Sequence, residues 1–277
     1  MVRFFSPFLC PLLGITPLAV SAVITGFLGG FPSGCAESAR LYSEGKISKE
    51  EAERLPLFCN NAGLMFTLGT IGTGHFSSFE AGLLLYFFHL FSSVICAVLT
   101  RNSKKSYSFT PKDIPPPVPL SRFPLLFTNA LKKAIFSMAL ISGNFIVFRV
   151  ITSLLLHLFG NSLALTFLSG LLEVTGGILA MPETTEGLIL SAFLLSFNGF
   201  CVHMQSMAFF APLKLSLKKC IIGKIFSAFL TAFLMYVSLA NGFSPEKGLP
   251  PMAFYIVLVL IPILFLFPYT KKASDSV

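Results

Sequence analysis

Tryptophan is absent from the 277 residues, and only 12% of them carry charge. The first absence removes the indole belt that usually marks a membrane interface, leaving six Tyr and the Lys and Arg residues as anchors. The second, joined to an apolar fraction of 54% and a mean hydropathy of +0.80, excludes an ordinary soluble globular domain. Cysteines are few and poorly spaced for chemistry: Cys10, Cys35, Cys59, Cys96, Cys201 and Cys220 form no CxxC and no Cys/His pair. That pattern excludes a disulfide framework and a zinc site, and most of these thiols lie in apolar runs, where they behave as small hydrophobes. There is no GxxxxGKS/T loop to hold a nucleotide, no HExxH pair and no clear nucleophile with a base. The chain is therefore not expected to be an enzyme or to hold a cofactor.

What remains is an apolar, phenylalanine-rich chain with a net charge of +8. Its basic residues cluster beside hydrophobic runs, where they meet lipid headgroups rather than nucleic acid. A helix needs about 20 apolar residues to cross the hydrocarbon, and four runs meet this cleanly, near 79–100, 134–158, 220–241 and 250–270. Three more are interrupted, at 7–31, 57–76 and 161–210. The expected fold is an all-α polytopic membrane protein. Between the first two interrupted runs lies a charged connector, 36–56, with a capping box at Ser48 and Glu51 and a stop at Pro56; it suits a helix pair at the membrane surface.

The interruptions carry the information. "FCNNAGLMFTLGTIG", Phe58 to Gly72, places two adjacent asparagines and three glycines in apolar surroundings. Broken backbone at membrane depth is tolerated only where protein or a watery cavity satisfies the freed N–H and C=O groups, so these breaks point inward. The orientation follows from the Lys and Arg residues. The loops at 101–133 and 211–224 and the tail at 271–277 are basic and are expected on the cytoplasmic side together with the connector, whereas Glu80, Glu183, Glu186 and Glu246 mark the opposite turns. "FLGG" at 27–30 precedes "NNAG" at 60–63 by about the interval at which "FLSG" at 167–170 precedes "SFNG" at 196–199. With connectors on opposite sides, this reads as an inverted repeat with broken or re-entrant helices, the architecture of a secondary transporter.

Two regions, "GFPSGCAESARLYSEGKISKEEAERLPLFCNNAGLMFTLGTIGTGHF" and "SGLLEVTGGI...LLSFNGFCVHMQ", resemble the hallmark regions of the sporulation integral membrane protein family of the YlbJ type, built on nucleoside-recognition Gate domains. The resemblance runs from about residue 7 to about residue 240. It implies a fold similar to that of concentrative nucleoside transporters, and a part in moving dipicolinic acid across the outer forespore membrane of a sporulating bacterium. One departure is that relatives carry hydrophobic segments ahead of the first broken helix. Residues 1–100 are accordingly expected to form a first Gate-like repeat without its leading helix, 101–133 a basic, proline-rich linker, 134–270 the second repeat and 271–277 the tail.

Candidate binding residues follow from the breaks. Gly63 lets the backbone turn, and Asn60 and Asn61 offer amide groups to the loosened backbone or to a solute; Ser196, Asn198 and Gly199 stand in the same capacity in the second repeat. Donors and positive helix N-termini suit an aromatic dicarboxylate. Glu173 is an ionisable group in an apolar half-helix, either a carrier of a coupling proton or cation or a structural partner of Arg149. His203 and Gln205 follow the Asn198 break, where His203 relays protons or bonds a neighbouring helix. The expected partners are a small anionic solute, membrane lipid and a coupling ion. A nucleoside-like permease and a non-transporting membrane scaffold are the alternatives.

Overall fold

The computed structural model describes residues 2–101 and 119–245; linker residues 102–118, Glu246, Lys247, the expected span at 250–270 and the tail lie outside the described residues. Among the described residues the regular elements are helical, as expected. Helix α1 (Val2–Leu13) ends at Gly14, whose φ of 62° turns the chain, and Pro17 opens the next stretch, which leads into α2 (Val20–Gly29). The two meet at 109°. The interrupted run at 7–31 is thus two helices at a steep angle.

Helix α3 (Ser33–Ser43) returns beside α2, so that Thr16 and Gly45, at the outer ends of the pair, line one cavity. It is not the surface helix expected from its charges, since Cys35, Ser38, Ala39 and Leu41 are buried. Gly34 permits this: a Cβ there would stand 2.2 Å from the Cys59 carbonyl oxygen. Ser48 caps α4 (Lys49–Arg54) by accepting the Glu51 N–H at 3.3 Å. Pro56 stops α4 and opens the one-turn α5 (Pro56–Cys59), as a residue with no N–H to offer does. The chain breaks at 60–63, passes through a π-helical segment (Phe66–Thr73), turns, and runs back as α6 (Phe79–Leu99).

Helix α7 (Phe123–Phe159) begins inside the stretch read as linker, and its 37 residues reach about 55 Å at 1.5 Å per residue. The run at 161–210 resolves into four helices, α8 (Leu163–Leu172), α9 (Val174–Leu179), α10 (Thr185–Phe197) and α11 (Gly199–Phe210), followed by α12 (Lys218–Ala240). Four segments among the described residues are long and apolar enough to cross a membrane: α6, α7, α10 with α11, and α12. The chain is an integral membrane protein.

Contacts fix which ends lie together. The Ser216 N–H donates to Glu53 at 3.0 Å, and Arg54 donates to the Leu13 and Ala97 carbonyls at 2.5 Å each. The charged connector and the 211–217 loop therefore share one end of the bundle, as the charge pattern implied. At the other end Phe76, Met181 and Phe243 join one apolar cluster. The core is split. One apolar half holds Cys10, Leu55, Cys59, Cys96, Phe210 and Cys220; the other holds Ala62, Leu85, Phe88, Val174, Leu195 and Met235. The residues between them in each helix are polar and buried: His89, Ser92 and Ser93 on α6, Ser196 and Asn198 at the end of α10, and Lys224, Ser227 and Thr231 on α12.

Candidate functional site

This buried polar layer is where the helix breaks meet. Gly30, between α2 and α3, has φ 75° and ψ −179°, a region reserved for glycine, and a Cβ on it would stand 2.8 Å from the Gly63 nitrogen. In the second half, Asn198 adopts the left-handed conformation at φ 75° and Gly199 follows at φ 69°. A Cβ on Gly199 would stand 3.1 Å from the Val174 nitrogen, so the α10–α11 break faces the α8–α9 break. Each half therefore opposes one break with another. The halves are tied together where the Asn198 side-chain amide donates to the Asn60 carbonyl at 2.8 Å.

The first break is held from outside. Asn61 Oδ1 accepts from Ser93 Oγ at 2.8 Å and from Lys224 Nζ at 2.9 Å, and its amide donates to the Phe58 carbonyl at 2.7 Å. Asn60 donates to Ser206 Oγ at 3.0 Å. The Ala62 N–H, freed by the break, donates to His89 Nε2 at 3.0 Å. That bond decides the tautomer: an Nε2 that accepts leaves the proton on Nδ1, which donates to Ser196 Oγ at 2.8 Å. Ser196 in turn donates to Thr231 at 2.8 Å, and Thr231 lies 3.0 Å from Ser92. A continuous hydrogen-bonded path thus crosses the molecule from the first break through α6 and α10 to α12.

The expected site residues divide accordingly. Asn60, Asn61, Ser196 and Asn198 converge in the layer, with Gly63 and Gly199 at the close approaches. Glu173 is not inside a half-helix; it is the residue between α8 and α9, and both carboxylate oxygens accept backbone N–H groups of α9, from Thr175 at 2.7 Å and Gly176 at 2.6 Å. Among the described residues it forms no ion pair with Arg149; the helix terminus supplies its hydrogen-bond donors. The Arg149 guanidinium stands close by over Gly176, where a Cβ would meet it at 1.7 Å. His203 Nε2 donates to the Phe197 carbonyl at 3.1 Å, which leaves its Nδ1 a bare acceptor, and Gln205 donates to the Cys201 sulfur at 3.4 Å. Within the described residues Asn60 Oδ1, Asn198 Oδ1, His203 Nδ1 and Gln205 Oε1 are buried without a hydrogen-bond partner.

The sequence reading missed Lys224 and His89. Lys224 was counted with the basic loop at 211–224, yet it lies inside α12 and is fully buried. His89 stands alone in its apolar span by sequence; the signal for it is Ser92 and Ser93 on the next turn of the same helix.

With this geometry in view, comparison with known proteins gives one direction. The chain is similar to the sporulation integral membrane protein YlbJ of Bacillus subtilis (strain 168). The two are 25% identical over 268 aligned residues, covering 81% of this chain and 66% of the relative. The matched part thus falls just short of two-thirds of the relative's length. No family model matches the chain, and no solved structure matches it. Similarity to an integral membrane protein agrees with the four apolar helices.

Proposed function

We infer that the protein is a secondary permease for a small anionic solute, acting in spore formation, with dipicolinic acid as the solute. The observation that carries this reading is the meeting of opposed helix breaks in a buried polar layer between two apolar halves. A scaffold has no use for buried amides and hydroxyls at mid-depth, where each polar group must be satisfied at a cost; a solute pathway requires them.

An inverted repeat is supported by the order of the elements. Helices α2 and α3 form a re-entrant pair whose outer ends lie at the connector end, and they are followed by a broken span and by α6. Helices α8 and α9, a broken span and α12 follow in the same order, but α12 starts at the connector end while α6 finishes there, so the second pair enters from the opposite end. Such pairs rocking about a fixed midplane site give alternating access. The likeness to a protein named for sporulation supports the biological setting.

A coupling proton or cation belongs to the same proposal, with Glu173 as its candidate carrier at the second pair of breaks. The four unpartnered acceptors also favour a second reading, a nucleoside-like solute rich in N–H and O–H donors. Uptake into liposomes holding the purified protein separates the two: labelled dipicolinate should enter faster than labelled uridine. Entry of uridine alone would establish the second reading, and entry of neither would sink both. In the organism, spores lacking the protein should be poor in dipicolinate.

A further inference from the structure

Lys224 is completely buried, two turns into a membrane-crossing helix. Its ammonium carries three donors, and the structure gives it one acceptor, the neutral Asn61 Oδ1 at 2.9 Å. The polar groups that feel its charge are the thiols of Cys59, Cys96 and Cys220 and the imidazoles of His89 and His203, and among the described residues no carboxylate forms an ion pair with it. A cation buried in this way is costly unless an anion joins it.

At the connector end a cavity of about 530 Å³ is lined by Lys46, Arg54 and Lys219 and also by Glu50 and Glu51. A second cavity, about 420 Å³, shares Arg54, Thr100 and Lys219 with the first and reaches Cys96 and Gly223 between α6 and α12. Lys224 itself lines neither cavity. Lys219 and Lys224 stand roughly 7.5 Å apart along the helix axis and about 140° apart around it, Lys219 at the surface and Lys224 inside.

We propose that Lys224 is the docking point for a carboxylate of the transported solute. On arrival a carboxylate oxygen replaces Asn61 Oδ1 as the acceptor of the Lys224 ammonium, while Asn61 keeps its bond from Ser93. The exchange unhooks the first break from α12, so the solute's charge and the conformation of the break become linked. The inference rests on the anionic-permease reading and specifies what that reading recognises.

The test is calorimetric binding to the full chain purified in detergent, with pyridine-2,6-dicarboxylate compared against its neutral isostere, pyridine-2,6-dimethanol. The unaltered protein should prefer the dicarboxylate by at least about tenfold, and Lys224→Met and Lys224→Gln should each bring that preference to within about twofold. Lys224→Arg should retain it. The ratio of affinities is insensitive to the fraction of active protein, so a partly misfolded variant still reports. If both neutral variants keep the preference, or lose affinity for both compounds alike, Lys224 is a structural lysine and the inference is overturned while the permease reading stands. If the unaltered protein binds no carboxylate, both fall together.

Discussion

The two broken spans are built from similar residues and held in different ways. At the Asn60–Gly63 break the freed groups are satisfied by side chains from other helices: Ser93 and His89 of α6, Lys224 of α12 and Ser206 of α11. At the second break Asn198 takes up the left-handed turn itself, and His203, on the helix that follows, covers the freed Phe197 carbonyl. The first break is therefore restrained by bonds that single side-chain rotations undo, and the second by its own backbone. In a permease this difference assigns the moving part to the first half and the fixed part to the second.

Substitutions at Gly30 test the contrast most severely. Gly30→Ala places a Cβ at 2.8 Å from the Gly63 nitrogen in a backbone region that only glycine tolerates, and should cost about 3 kcal/mol or more. Gly63→Ala meets its nearest neighbour at 3.6 Å and should be far milder. Membrane abundance and thermal melting of the purified protein measure both. Equal losses would show that Gly63 is as constrained as Gly30.

Next in size is the comparison of the two amides. Asn61→Ala leaves the buried Lys224 and Ser93 without their acceptor and should cost about 1–3 kcal/mol. Asn198→Gly retains the left-handed turn and forfeits one bond to the Asn60 carbonyl, about 0.6 kcal/mol in a membrane protein. Solute uptake should fall in both. A reversed order of melting temperatures would refute the view that the first break is the one held from outside.

Glu173→Gln preserves one acceptor of the α9 cap and should cost about 1 kcal/mol. Arg149→Met removes a guanidinium that stands beside the Glu173 cap without bonding to it, and because the two groups are this close the double variant should depart modestly from the sum of the singles. Restoration in the double variant would reinstate an ion pair between them. Smallest of all is Glu44→Gln in the exposed connector. Lys46 and then Arg40 hold the Glu44 carboxyl below the ordinary carboxylate range. Because the folded state lowers this group's pKa, its contribution is present above the unfolded value and is lost as pH falls through the folded one. Pairs this exposed are worth less than about 1 kcal/mol, so melting curves of the variant and the parent should differ slightly at neutral pH and coincide in acid.

The breaks were legible because helix-breaking residues inside apolar runs are anomalies at any level of structure: "CNNAG" and "SFNG" mark the two positions where the backbone turns. The all-helical membrane fold followed from run length alone. Lys224 was not legible, because a lysine just past a basic loop reads as part of it, and its burial depends on Asn61, 163 residues earlier in the chain. His89 was hidden for a related reason, since its partner is a backbone N–H that exists only once the first break has formed. Glu173 was seen as unusual but misplaced. Nothing in "LLEVTGG" fixes the helix end at that residue until α9 turns its N–H groups toward the carboxylate.

All six cysteines are buried, none more than 3% exposed. The thiolate form is the one that reacts, and burial slows these thiols against reagents in water, Cys96 least because it lines a cavity. For anyone labelling the protein, the unaltered chain therefore serves as the reference for slow background reaction. A single cysteine introduced at position 218, which is exposed, would react faster with a membrane-impermeant maleimide, and the side of the bilayer from which it does so would orient the whole bundle.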